Sequence, residues 1–270
     1  MSTLPAPEQA PVGRSSSGSQ TVATVERAAD ILLLFTEADS STLGVTEIAE
    51  KLNTSKAAVH RILASLRSRH LIHLDEESRR YSLGTTAMRL GAAYQERMDI
   101  RQIVAPDLRS LSRLTGETTT LSVRTGDARV YIDQVTPQRE VIMTVPVGVR
   151  YPLHAGSSSK AFLAFLPEDE REAYLEREPL GSLTGETLVD TYELRRELER
   201  IRAAGYATSF GERQAGAAST AAPILDHRGE PVAVVSVCGP RERFLEEAGH
   251  CSRALLETTR RLSTRMGARN

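Results

Sequence analysis

The stretch Thr54–Leu83, TSKAAVHRILASLRSRHLIHLDEESRRYSL, decides the fold of the first part of the chain. Val59, Ile62, Leu63 and Leu66 recur at i, i+3, i+4 and i+7, the spacing of one helix face. Two strand-like runs follow, Leu71–Leu74 and Arg79–Leu83, and the polar Asp-Glu-Glu-Ser tip between them predicts a hairpin. Upstream, Val45, Ile48, Ala49 and Leu52 mark another helix, with Thr46 as its expected N-cap. Only Lys51, Leu52, Asn53 and Thr54 separate the two stripes, so the pair is helix–short turn–helix. A helix ahead of both carries Val25, Ala28, Ala29, Leu32 and Leu33. Helix, helix–turn–helix and hairpin in this order make a winged helix–turn–helix over residues 21–84.

Such a domain lays its second helix in the DNA major groove, with N-terminal residues reaching base edges. The groove-facing residues are those off the apolar stripe: Ser55, Lys56, Ala57, His60 and Arg61, with Thr54 at the positive end of the helix. Arg79 and Arg80 place charge on the wing, for the backbone or minor groove. From Thr54 to Arg80 six basic residues face three acidic ones, a local +3 in a chain of net charge −1. Nucleic-acid affinity is therefore expected from a local surface, since global charge supplies none. One copy offers few base contacts, so the expected partner is double-stranded DNA with a palindromic or pseudo-palindromic operator, bound by a homodimer or homotetramer.

The chain's 270 residues suffice for two domains with separate cores. Its 40 % hydrophobic and 26 % charged content is that of a globular protein, and no apolar run approaches a membrane span. A Pro-, Ser- and Gly-rich leader, 1–20, is expected to be disordered, and without a signal-peptide core the chain is expected in the cytoplasm. Two cysteines and six scattered histidines form no metal-ligand pattern, so neither metal nor cofactor is expected.

Residues 85–99 read as a linker helix without a deep apolar stripe, and 100–267 as a second domain. That domain opens with an amphipathic helix, Ile100–Leu114, expected to break before Pro106 and to end at Gly116. Strands are expected at Thr118–Thr125, Arg129–Val135, Glu140–Val147, at the short Pro-Ile-Leu run and at Pro231–Val237. Helices are expected at Ser158–Leu166, Thr191–Ala204 and from about Glu242 to Arg265. Helices interleaved with hairpin-connected strands indicate an α+β domain on an antiparallel sheet.

Within it, Pro152–Phe165, PLHAGSSSKAFLAF, admits two chemistries. Ser157 and Lys160 stand in Ser-x-x-Lys spacing, the arrangement of a hydroxyl nucleophile with an amine base. The Ser-Asp-Asn and Lys-Thr-Gly partners of such hydrolases do not occur. The same residues form a small-residue loop opening a helix, where backbone N–H groups and the helix dipole receive a carboxylate. Neutral serines then favour polar or weakly acidic metabolites without a matching cation. A Ser-Lys hydrolase and a protein-interaction adaptor are the alternatives to a DNA-binding regulator.

TSKAAVHRILASL, with TVERAADILLLF upstream and PLHAGSSSKAFLA and GEPVAVVSVCGP downstream, resembles the IclR family of bacterial transcription regulators over Thr21 to Met266. The resemblance implies a winged helix–turn–helix, a linker helix and a GAF-like effector-binding domain in a homodimer or dimer of dimers. It implies an effector pocket at Gly156, Ser157, Ser158, Ser209, Ala217, Ser219, Ser236 and Cys238. The chain departs from the family in three places. Ala57-Ala58 replaces a Ser-Thr pair, Ser209 and Ser219 stand where many relatives have Asp and Cys, and Ser159-Lys160 replaces Gly-Lys.

Overall fold

A computed structural model describes residues 21–268 apart from 39, 98 and 178, and leaves undescribed the side chains of 94–97; the expected leader lies outside the described residues. The chain divides into two compact units, one through residue 98 and one from Asp99 onward.

In the first unit, helices α1 (Ala23–Glu37), α2 (Val45–Lys51) and α3 (Lys56–Ser68) precede strands β1 (Ile72–Leu74) and β2 (Tyr81–Leu83), and α4 (Thr85–Arg97) follows. All four apolar residues of the α3 stripe are buried. They pack with Ile31, Phe35, Ile48, Ile72, Leu74 and Tyr81 in one core. Asn53 takes a left-handed conformation, φ 45°, in the turn between α2 and α3, a geometry that Asn tolerates better than most residues.

Three local expectations are corrected here. On α1 the buried residues are Ile31 and Phe35, whereas Val25, Ala29 and Leu33 are exposed. A run of four aliphatics, Ile31–Leu34, contains more than one candidate face, and packing selects among them. The N-cap of α2 is Gly44 instead of Thr46; Glu47 Oε2 reaches back to accept the Gly44 N–H at 2.8 Å, one half of a capping box. The second wing strand starts at Tyr81, which leaves Arg79 and Arg80 in the turn. Tyr81 also exchanges both backbone hydrogen bonds with Leu43, anchoring the wing to the segment before α2.

The second unit is a six-stranded sheet of order β5-β4-β3-β8-β7-β6. Its strands are β3 (Thr118–Thr125), β4 (Ala128–Val135), β5 (Arg150–Pro152), β6 (Ala207–Phe210), β7 (Ala217–Leu225) and β8 (Pro231–Pro240). Every neighbouring pair is antiparallel. Helices α5 (Ile100–Thr115) and α9 (Arg241–Arg265) share a core with Leu121, Ala218, Ala222, Ile224, Val235 and Val237. Helices α6 (Ser157–Phe165), α7 (Glu168–Leu175) and α8 (Thr191–Ala204) build a second core with Ala207, Ala221 and Val234. Alternation along each strand assigns the two sets to opposite faces of the sheet. The resulting architecture is α+β.

α5 runs unbroken through Pro106, because Val104, Leu108 and Leu111, all buried, hold both sides of the proline against the sheet. Gly116 caps it in the left-handed region at φ 64°, as its sequence position predicts. Glu140–Val147 is not a strand. Its backbone is held instead by side chains: Thr118 Oγ1 donates to Met143 O at 2.6 Å, and the Gln134 amide bonds both Val145 N and O at 3.0 Å. Arg150–Pro152 takes the place beside β4. The Pro-Ile-Leu run is only the end of the nine-residue β7.

Candidate functional site

On the first unit, Ser55 caps α3 by accepting the Ala58 N–H at 3.2 Å, which leaves its hydroxyl proton available to an acceptor. Ser55, Lys56, Ala57, His60 and Arg61 are exposed along one side of α3, and Thr54 is half-buried. The apolar stripe occupies the opposite side, so the sequence-derived set forms a continuous outward face. Arg79, at φ 55°, is exposed and pairs with Glu76 at 2.7 Å; Arg67 of α3 meets the other oxygen of Glu76 at 2.8 Å. Pairs this exposed contribute little to stability and exchange readily with another anion.

Arg80 is placed differently. Its Nε donates to Thr42 Oγ1 at 2.9 Å, and Nη2 donates to Thr42 O at 2.9 Å and Glu47 Oε2 at 2.7 Å. It braces the wing against the start of α2. The tip itself is an Asx turn in which Asp75 Oδ1 accepts the N–H groups of Glu77 and Ser78.

On the second unit, strand period and register bring the serines together. Ser209, Ser219, Cys238 and Thr118 form one row across β6, β7, β8 and β3. Ser236 stands in the next row between Ala221 and Thr120. The loop after β5 carries Gly156 at φ 88°, ψ 158°, which L side chains rarely adopt, and opens α6 above these rows. All eight residues Gly156, Ser157, Ser158, Ser209, Ala217, Ser219, Ser236 and Cys238 line one cavity of about 20 Å³. That is room for little more than one water-sized group, ~10–15 Å³ being the minimum for one. Ser157 Oγ lies 2.6 Å from Ser219 Oγ, and Ser236 Oγ 2.6 Å from Thr120 Oγ1. Among the described residues nothing accepts the N–H groups of Ser157 and Ser158 in the first turn of α6.

Sequence reasoning missed the cation. Arg129, Tyr131, Met143, Arg213 and Gln214 complete the lining. Arg129 is 1 % exposed; Nε donates to Ser159 Oγ at 2.7 Å and Nη2 to Tyr131 Oη at 3.0 Å. Its Nη1 is buried and meets no acceptor among the described residues. Burial, more than any neighbour, pulls this guanidinium below its ordinary pKa, and Tyr131 opposes the shift. A buried cation without a counter-ion costs several kcal/mol. The expectation of a serine cradle without a matching cation is therefore corrected. The alternating pattern of Arg129–Val135 was legible, but nothing in it distinguishes an inward arginine from an outward one.

The Ser-Lys pair does not form. Lys160, 2 % exposed, donates to Glu212 Oε1 at 2.6 Å and Glu197 Oε1 at 3.2 Å, and among the described residues no hydrogen bond joins it to Ser157. Glu212 Oε2 accepts the Gly156 N–H at 3.1 Å, so this ion pair fixes the loop. His154 is a structural group: Nε2 donates to Gly181 O at 2.8 Å and Nδ1 lies 2.9 Å from Tyr174 Oη. Burial pushes the Cys238 thiol up to about 12, which keeps it an inert lining group. Among the described residues no cluster suits a metal ion, and no helix is long and apolar enough to cross a membrane.

An outward-facing helix–turn–helix on one unit and a lined cavity on the other define a ligand-responsive DNA-binding regulator as the class of protein. Residues 24–76 match the family described as the IclR helix-turn-helix domain, and 92–264 match bacterial transcriptional regulator IclR, C-terminal. The chain belongs to the IclR family of bacterial transcriptional regulators. It is 36 % identical over 259 residues to the HTH-type transcriptional regulator BhcR of Paracoccus denitrificans, covering 96 % of this chain and 91 % of BhcR. To KipR of Bacillus subtilis it is 32 % identical, covering 83 % and 88 %. Among solved structures, Pseudomonas aeruginosa HmgR superposes with a TM-score of 0.74 at 33 % identity, covering 92 % and 99 %.

Proposed function

We propose that this regulator binds operator DNA through the outer face of α3 and senses a small organic acid in the cavity of its second domain. Lys56, His60 and Arg61, with Thr54, Ser55 and Ala57, meet the major groove, and Arg79 exchanges Glu76 for a phosphate. Arg80 supports the wing from behind. The protein acts in the cytoplasm as a homodimer or homotetramer, because two-fold-related half-sites supply the contacts that one copy lacks.

The observation that carries the effector assignment is convergence. Eight residues spread over 156–238 meet at one small cavity, beside the free first-turn N–H groups of α6 and the unpaired Nη1 of Arg129. A carboxylate oxygen there is the kind of acceptor that these donors lack. The hydrolase alternative has no comparable support, since the only amine in Ser-x-x-Lys spacing with Ser157 is engaged by two carboxylates.

A gel shift with the DNA upstream of the protein's own gene tests the DNA face. Lys56→Ala with Arg61→Ala is expected to weaken binding and to reduce the slope of log affinity against log salt by up to about 1.8, near 0.9 per lost phosphate contact. Binding unchanged by the pair contradicts the assignment of α3. For the cavity, a panel of organic acids is expected to contain one that raises the melting temperature of the second domain.

A further inference from the structure

Arg129 is not alone. Its guanidinium carbon lies 4.2 Å from the centre of the Tyr131 ring and 5.1 Å from that of Tyr151. Arg213, in the loop between β6 and β7, sits 5.9 and 5.1 Å from the same two rings. The rings themselves meet edge to face at 5.7 Å. Arg213 forms no hydrogen bond or ion pair among the described residues, where its partners are the faces of Tyr131 and Tyr151. The nearby acids are engaged elsewhere: Glu212 by Lys160, and Glu117 by Arg139 and Arg243. Two like charges thus share one aromatic cluster at a cavity wall without a neutralising carboxylate. Each raises the cost of the other in a poorly solvated place.

From this geometry we infer that the ligand is a compact dianion, with one anionic group on Arg129 Nη1 and the α6 N-terminus and a second on Arg213. The inference rests on the cavity being the effector site and adds the ligand's charge. Arg129 is fixed by Ser159 and Tyr131, so it sets the position of the first group. Arg213 is half-buried and Gln214 exposed, which makes them the movable side of a cavity too small for the whole ligand as it stands. The aromatic faces hold Arg213 nearby without consuming its donors. A dicarboxylate of two to four carbons fits this chemistry; sulfate or phosphate shares the charge without the span.

Isothermal titration of the full chain at matched ionic strength tests this, with oxalate, malonate and succinate against formate, acetate and propionate, and with sulfate and phosphate as a third arm. The best dicarboxylate is expected to bind about tenfold or more tighter than any monocarboxylate, the gain of one further charge-assisted pair. Arg213→Gln, at a half-exposed site, is expected to keep the fold by circular dichroism and to bring that ratio close to one. Arg129→Gln is expected to remove both classes of binding. Equal affinity for singly and doubly charged acids, or a ratio unchanged in Arg213→Gln, overturns the dianion but leaves the effector site standing. Preference for the inorganic ions overturns the dicarboxylate assignment. No binding by any anion overturns the dianion together with the acid-sensing role of the cavity.

Discussion

Glu117 shows how a single residue can couple three elements of the second domain. It is fully buried and accepts from Arg243 Nε at 2.6 Å, Arg243 Nη2 at 3.0 Å and Arg139 Nη1 at 3.3 Å. The bonds hold the carboxylate against Gly239, where an added Cβ would lie 2.5 Å from Oε2 and 2.7 Å from Cδ. The side chain is pinned on both oxygens and cannot swing away. Gly239→Ala is therefore expected to lower the stability of the second domain by about 1–3 kcal/mol, the range for forced overpacking. Gly216→Ala, with nothing within 4 Å of its Cβ, should stay within about 0.5 kcal/mol. Thermal unfolding of the two variants side by side measures the difference, and equal midpoints would show that Glu117 yields. None of this was legible in Glu117 or Gly239 alone, because a buried ion pair is a relation between distant positions. The serine positions came from the family resemblance, and strand register accounts for their meeting; Arg129 lies on the same face of the sheet, yet an arginine ordinarily belongs outside.

At the scale of elements, how much the sequence revealed depends on how uniquely a pattern selects one face. In α3 the aliphatics alternate with polar residues, and the periodic stripe is the buried one. In α1 and in the small-residue strand Ala217–Ala222 the pattern is degenerate, and tertiary packing decides. Glu140–Val147 is rich in residues that favour strands, but the Gln134 and Thr118 side chains hold Met143 and Val145 without a ladder. The wing depends on two carboxylates that no apolar pattern announces. The Gly44 N–H, followed by Arg80, holds Glu47 below its ordinary 4.5, and the Ser78 N–H holds Asp75 below its ordinary 3.8. A carboxylate with a depressed folded pKa contributes stability that is full above its unfolded value and is lost as pH falls through the folded one. Protection of backbone amides in residues 42–83, corrected for intrinsic exchange, is therefore expected to decline as pH drops below 4.5. Glu47→Gln with Asp75→Asn keeps the hydrogen bonding but removes the titration, and should flatten that decline. A double variant with the same acid profile as the parent would place the acid sensitivity elsewhere.

For the whole molecule, the two units have separate cores, so ligand bound in one affects the other only if a global equilibrium depends on both. That requirement makes the regulatory proposal quantitative. If the acid changes operator affinity by some factor, operator DNA must change affinity for the acid by the same factor, whatever the sign. Couplings of this kind are typically about 5- to 150-fold. The two factors are measured independently, one by operator titration with and without saturating acid, the other by acid titration with and without saturating operator. They are expected to agree, and the Arg213→Gln protein should lower both together. The Lys56→Ala, Arg61→Ala protein should still bind the acid with the affinity of the free parent, because its altered side chains belong to the other unit. A factor of one in both directions would leave two competent modules in one chain with no regulatory connection, and unequal factors would mean that the acid acts on the assembly state or on another component of the mixture. Repeating both titrations over a range of protein concentrations separates those cases, since coupling through association changes with concentration while coupling within a fixed assembly does not.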